Sequence, residues 1–181
     1  APYFKMMEKV NLEGIPLVDK LPEPKPVSAD EFDKRLQKGL LAIDIRSPEA
    51  FAGAHIPGSI NIPFDMVAAF AGWILSYDDK VGLIAENIEQ IEKAMPSFVR
   101  LGFDNITCYL RDGAHAWEVS GKEFSSIPTI HINEAQKRID AKENFTLLDV
   151  RAKHEFEAFA LPNSQHIYVG ELSSRLKEVD K

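Results

Sequence analysis

Three short apolar runs, each closed by a charged residue, stand out in the pattern of this 181-residue chain. They occupy residues 40–43, 81–85 and 106–110. A continuous apolar run of this length is typical of a strand that is buried on both faces, as in a parallel sheet. We therefore expect all three runs to be strands of one sheet.

Helical periodicity fills the segments between these runs. Apolar residues recur at helical spacing from Asn87 to Leu101, and Pro96 within them predicts a kink or a break. Ser28 is predicted to open an earlier helix through a reciprocal capping box with Glu31, and Gly39 to end it. The order strand, helix, strand indicates an α/β fold with a parallel sheet flanked by helices.

One pattern of polar and apolar residues occurs twice in the chain, 105 positions apart. Asp44 and Arg46 of the first copy correspond to Asp149 and Arg151 of the second. The other matched pairs are Phe51 with Phe156, Pro57 with Pro162, Ser59 with Ser164, and Ile62 with Ile167. A period of this length matches one small domain, and it is too long for a solenoid repeat.

The repeat predicts one complete unit and the front half of another. Residues 1–26 are predicted to be a proline-rich leader or inter-domain linker, residues 27–124 the complete unit, and residues 128–181 the N-terminal half of the second. The second unit's first helix is expected to start at Asn133. A half unit leaves a sheet edge exposed, so it should pack on the first unit, pair with another chain, or be continued by further residues.

The charge, the hydropathy and the cysteine content of the chain indicate which partners and which cellular compartment to expect. The net charge of −7 argues against binding to nucleic acid and to anionic lipid. The longest apolar stretch, residues 66–75, is shorter than the ~20 residues that a membrane span requires. Cys108 is the single cysteine, so we expect no disulfide and a cytoplasmic location. The histidines show no metal-site spacing, so neither a metal nor a cofactor is expected in this chain.

Four segments of the chain form a recognisable combination. They are residues 41–51, residues 53–63, which contain His-Ile-Pro-Gly, residues 101–106, and residues 112–117, which read Asp-Gly-Ala-His-Ala-Trp. Together they cover most of residues 27–120, and they resemble the rhodanese-like domain. The resemblance implies sulfur transfer by a cysteine at the carboxyl end of a strand, in a loop that typically begins with Cys and carries Gly and Arg.

The position of that cysteine can be counted back from Gly102, and it falls on Ala85. The corresponding loop is Ala85, Glu86, Asn87, Ile88, Glu89 and Gln90, which has no thiol, glycine or arginine. Two glutamates would repel a thiolate or an anionic substrate. The equivalent position of the second copy falls beyond Lys181. We therefore predict that the first unit is inactive as a sulfurtransferase.

Other polar residues have two interpretations each. Asp44 and Arg46 could line a ligand pocket, but we favour structural roles, with Asp44 capping a turn and Arg46 pairing with a carboxylate. His55 is expected to hydrogen-bond the backbone. Cys108 is expected to be a buried, inert thiol, and sulfur transfer by Cys108 is kept as a weaker alternative.

The leader residues Pro2, Tyr3, Phe4 and Met7, with residues 10–14 and 70–73, resemble the junction in fusions of a metallo-β-lactamase-fold domain with rhodanese units. That resemblance implies a parent protein of the glyoxalase or persulfide dioxygenase type, which holds Zn or Fe in a domain outside this chain. Here the first unit would be a scaffold for that upstream domain. The alternative is a stand-alone, noncatalytic module that binds a protein partner through the degenerate loop. Self-association remains open, and so does the question of whether this chain is itself an enzyme.

Overall fold

The computed structural model describes residue 8 and residues 11–14 and 21–179. The chain forms two compact units that meet in sequence between Pro128 and Thr129. Most of the predicted leader lies outside the described residues, including its aromatic residues Tyr3 and Phe4.

The first unit is built on a five-stranded sheet in the order β1-β5-β4-β2-β3, in which every described pairing is parallel. In chain order its elements are β1 (Lys25–Val27), α1 (Ala29–Leu36), β2 (Leu41–Asp44), α2 (Pro48–Gly53), β3 (Ile60–Asn61), a 3-10 turn (Phe64–Met66), α3 (Val67–Ile74), β4 (Val81–Ile84), α4 (Ile88–Arg100), β5 (Ile106–Leu110) and α5 (Gly113–Val119). The predicted α/β fold, a parallel sheet flanked by helices, is confirmed.

Apolar residues pack on both faces of this sheet, because alternate residues of a strand point to opposite sides. One cluster joins the strands to α1 and α5 and contains Phe32, which is fully buried. The other joins them to α3 and α4 and contains Phe98, also fully buried. Burying a phenylalanine side chain contributes about 1.5–3 kcal/mol. This double coverage explains why the inner strands are apolar throughout.

Two local predictions about helices need correction. Ser28 Oγ accepts the Glu31 N–H at 3.3 Å, but the Glu31 carboxylate bonds Arg35 at 2.9 Å instead of returning to Ser28. The cationic partner one turn away takes the carboxylate, and this pairing lowers the pKa of Glu31. Of the kink or break predicted at Pro96, the break is absent, since α4 continues past this residue. Phe98, buried against the sheet, holds the helix there.

The sheet also includes residues that the sequence assigned to the leader. Lys25 and Pro26 belong to β1 and stand opposite Cys108 and Tyr109 of β5. A proline is tolerated at this place because β1 is an edge strand.

The second unit contains a small parallel pair of strands and short helices. Its elements are α6 (Ile132–Asp140), β6 (Leu148–Asp149), α7 (Lys153–Ala158), β7 (Gln165–His166), α8 (Val169–Arg175) and a 3-10 turn (Leu176–Glu178). The helix predicted to start at Asn133 begins one residue earlier, because His131 provides the cap and its Nδ1 accepts the Asn133 N–H at 3.2 Å. Within the described ranges, no helix combines the length and apolar character needed to cross a bilayer.

Candidate functional site

The carboxyl ends of β2, β4 and β5 lie side by side, and polar segments follow each of them. Open parallel sheets bind their ligands at this edge. A cleft of about 320 Å³ opens there. Its described lining residues are Arg46, Ala54, Ala85, Glu86, Asp112, Gly113, Ala114, His115, Glu118 and Phe124. The sequence-predicted residues Arg46, Ala85 and Glu86 are therefore brought together.

Ala85 directly follows β4 and is 3% exposed. Glu86 and Asn87 form an exposed turn, and α4 begins at Ile88. The predicted six-residue loop therefore consists of a short turn and the first turn of a helix. The nucleophile's position, as counted from the sequence, carries only a methyl group.

Side chains of this segment occupy two of its own backbone donors. The Glu86 N–H donates to Gln90 Oε1 at 2.9 Å, and the Gln90 N–H donates to Asn87 Oδ1 at 2.9 Å. Gln90 Nε2 also donates to the Ile45 carbonyl at 3.2 Å, which ties α4 to the end of β2. Amides that lead into a helix N-terminus are the groups that would stabilise an anion. Here the side-chain oxygens of Gln90 and Asn87, which are neutral, already accept two of these N–H groups.

Asp112 and Gly113 form the opposite wall of the cleft. Both have left-handed backbone, with φ of 61° and 60°. A Cβ at Gly113 would stand 2.4 Å from the Ala85 carbonyl oxygen, so the close approach of α5 to the turn after β4 requires a glycine.

Asp44 and Arg46 form a buried ion pair, which gives Arg46 the structural role that the sequence favoured. The Arg46 guanidinium lies 2.6 Å from the Asp44 carboxylate and also donates to the Ala54 carbonyl at 2.8 Å. Asp44 Oδ1 accepts the Arg46 backbone N–H at 3.0 Å, which caps the turn. Arg46 touches the cleft, but its charge is balanced by Asp44.

The charge of the cleft is unsuited to an anion. Glu86, Asp112 and Glu118 contribute carboxylates to its lining, and His115 lies 3.6 Å from Glu118. With Arg46 already paired, these carboxylates disfavour a thiolate, sulfite or phosphate.

The structure also places His55 and Cys108. His55 is buried, its Nδ1 lies 2.9 Å from the Phe51 carbonyl oxygen, and its ring stacks on Phe51 at 4.0 Å. This confirms the predicted backbone hydrogen bond. Cys108 lies within β5 and is fully buried, as predicted. It is not among the described lining residues of the cleft.

The contacts of two residues at this edge were missed by sequence reasoning. Asn61 Nδ2 donates to the carbonyls of Asp44 and Arg46, at 2.9 and 3.0 Å, and thereby holds the turn after β2. Gln90 was identified only as a loop member, because its partner Ile45 lies 45 residues away in sequence. No short-range pattern signals either contact.

The turn after β2 recurs in the second unit. Arg151 binds Asp149 and donates to the Phe159 carbonyl at 2.8 Å, as Arg46 does with Asp44 and the Ala54 carbonyl. The pairing lowers the pKa of Asp149 and raises that of Arg151. The repeated sequence pattern thus has a repeated geometry. Across the described part of the chain, no group of three or more His, Cys, Asp or Glu residues could hold a metal ion.

Comparison with known proteins identifies a family for this fold. A family model described as "Rhodanese: Rhodanese-like domain" matches residues 28–120. A curated relative, "Putative sulfur carrier protein YrkF" of Bacillus subtilis (strain 168), is 34% identical over 73 residues, which span 40% of this chain and 38% of that protein.

Two solved structures extend the comparison. A metallo-beta-lactamase from Staphylococcus aureus subsp. aureus COL is 31% identical with a TM-score of 0.50, and the match covers 61% of this chain and 30% of that one. A thiosulfate sulfurtransferase from Pseudomonas aeruginosa is 19% identical with a TM-score of 0.50, covering 98% of this chain and 39% of that one. This second likeness concerns the fold alone. The chain spans less than half the length of all three proteins.

Proposed function

This chain belongs to the rhodanese-like domain family, and we propose that its first unit acts as a scaffold or binding module without transferring sulfur itself. The observation that carries this proposal is the end of β4. Ala85 stands where the resemblance expects the nucleophilic cysteine, and Gln90 and Asn87 accept two amides of the same segment. Rhodanese-type chemistry needs a thiolate that accepts a sulfur atom and passes it on.

Three carboxylates in the cleft support the same proposal, because they would raise the free energy of an anionic sulfur donor there. Cys108 offers no substitute, since its side chain is fully buried within β5. A structural thiol that is shielded from solvent is inert as a nucleophile.

We further propose that the chain comes from a fusion with a metallo-β-lactamase-fold domain that acts in persulfide or thiosulfate metabolism. Two relatives favour this setting: the Bacillus protein by its name as a sulfur carrier, and the Staphylococcus protein by its name as a metallo-beta-lactamase. Zn or Fe would belong to the upstream domain of such a parent. The second unit would be a further rhodanese-like unit, which the repeated Asp149–Arg151 geometry favours.

The alternative is a stand-alone module that binds a protein partner. It is favoured by Ile88, which is 46% exposed at the start of α4, beside the exposed Glu86 and Glu89. An exposed isoleucine next to a site loop is a feature of a contact surface.

Sulfur transfer is tested by supplying thiosulfate and cyanide and measuring thiocyanate. We expect the wild-type chain to produce no more thiocyanate than its Cys108→Ser variant. Formation that disappears in Cys108→Ser would overturn the proposal and assign the chemistry to Cys108.

The fusion is tested by the intact mass of the natural polypeptide, captured with an antibody against this chain. A mass far above 20.3 kDa, together with bound Zn or Fe in the whole protein, would support it. A mass near 20.3 kDa would refute the fusion and favour the stand-alone module.

A further inference from the structure

A second concavity lies beside the cleft, on the α4 side of the sheet. It has a volume of about 640 Å³, and we call it the α4 groove. Its described lining residues are Leu21, Pro22, Glu23, Pro24, Ile88, Ile91, Glu92, Met95 and Tyr109. The segment that leads into β1 forms one wall, and α4 forms the other.

The apolar residues of this lining comprise exposed side chains at the rim and buried side chains at the floor. Leu21 is 48% exposed and Ile88 is 46% exposed, whereas Ile91 and Met95 form a buried floor. Methionine adapts its shape to irregular partners. Exposed apolar side chains around a buried apolar floor can receive inserted side chains.

The charged side chains in the described lining of the α4 groove are acidic. Glu23 and Glu92 lie in its lining, and its described lining residues include no lysine, arginine or histidine. Glu86 and Glu89 are exposed in the adjoining turn, and the whole chain carries a net charge of −7. A partner that fills the floor must therefore bring basic groups to the rim.

The α4 groove adjoins the turn after β4, where Ala85 stands. Ile88, Ile91 and Tyr109 line both the α4 groove and a cleft of about 300 Å³ that also contains Ala85 and Asp112. Addition of a partner strand is disfavoured here, because Pro26 within the edge strand β1 has no N–H to donate. Recognition would instead occur by side chains entering a groove.

From these observations we propose that the α4 groove binds a basic amphipathic segment of a protein partner. Apolar side chains of that segment enter between Leu21 and Met95, and its lysines or arginines meet Glu92 and Glu89. The inference deepens the proposed function as a binding module and rests on it.

The test uses a fluorescein-labelled helical peptide of leucine and lysine, and a matched peptide of leucine and glutamate, titrated against the full chain. The leucine–lysine peptide should bind and the leucine–glutamate peptide should not. Ile88→Asp and Glu92→Lys should each weaken binding by about tenfold or more, a typical loss for an interface anchor. Both positions are exposed, so the variants should fold, which circular dichroism melting checks.

Glu49→Lys is the matched control, because it makes the same change of charge at an exposed position of α2, outside the groove lining and outside the cleft. It should weaken binding much less than Glu92→Lys does. Equal weakening by the two variants would mean that the peptide senses only net charge, and would overturn the proposal. Absence of binding to the full chain would also overturn it. Either result leaves the thiocyanate measurement unchanged, so this inference and the lack of sulfur transfer can fail separately.

Discussion

Gly113 controls how closely α5 approaches the turn after β4, and replacing it tests the geometry of the site. A Cβ at this position would stand 2.4 Å from the Ala85 carbonyl oxygen, where ordinary contact starts at 3.4 Å. The left-handed backbone costs an alanine about 1–2 kcal/mol. The overlap with a backbone atom adds about 1–3 kcal/mol, as in an overpacked core. We expect Gly113→Ala to lower the free energy of unfolding by about 2–5 kcal/mol.

Gly121 is the matched control, because its φ is +72° and no atom lies within 4 Å of a Cβ built there. Gly121→Ala should therefore cost only the backbone term of about 1–2 kcal/mol. Urea denaturation followed by tryptophan fluorescence measures both variants. Equal losses in the two variants would refute the close contact between Gly113 and Ala85.

Three further predictions concern the turn after β4 and the surface of α1. Ala85→Cys should give a thiol whose pKa is at or above the about 8.5 of free cysteine, because the site is buried and Gln90 Oε1 already accepts the Glu86 N–H. Alkylation as a function of pH measures this pKa, and a value below about 7.5 would contradict the occupation of that N–H by Gln90. Gln90→Ala should lower the free energy of unfolding by about 1–3 kcal/mol for two hydrogen bonds and speed amide exchange at Glu86; unchanged exchange would count against the role of Gln90. Lys122 lies 2.9 Å from Asp33 and lowers the pKa of that carboxyl below its ordinary value of 3.8. The pair's contribution to stability is therefore present above pH 3.8 and is lost as pH falls from there through the lowered pKa of the folded chain. Lys122→Met should flatten this acid-side loss in thermal melts, and an unchanged pH profile would show that the pair contributes nothing.

Much of the fold could be predicted because the inner strands β2, β4 and β5 are covered on both faces. Their continuous apolar runs encode that burial directly. The short edge strands β1 and β3 carry no such signal, since β1 contains Pro26 and β3 has only two residues. They were therefore missed as strands.

The candidate site was predictable in position but not in detail. The resemblance and the count from Gly102 led to Ala85, and the structure places it at the carboxyl edge of the sheet. The bonds of Gln90 depend on the distance between α4 and the end of β2, which only tertiary packing sets. Likewise, the Glu31 carboxylate could bond either the Ser28 backbone N–H or the Arg35 guanidinium. The capping motif alone does not show that Arg35 is the partner.

We propose that this chain carries no sulfur on a nucleophile of its own, and the sharpest test is intact mass spectrometry after incubation with a persulfide donor. We expect an unchanged mass, because Ala85 has no thiol and Cys108 is fully buried. A mass increased by one sulfur atom, which cyanide then removes, would contradict it.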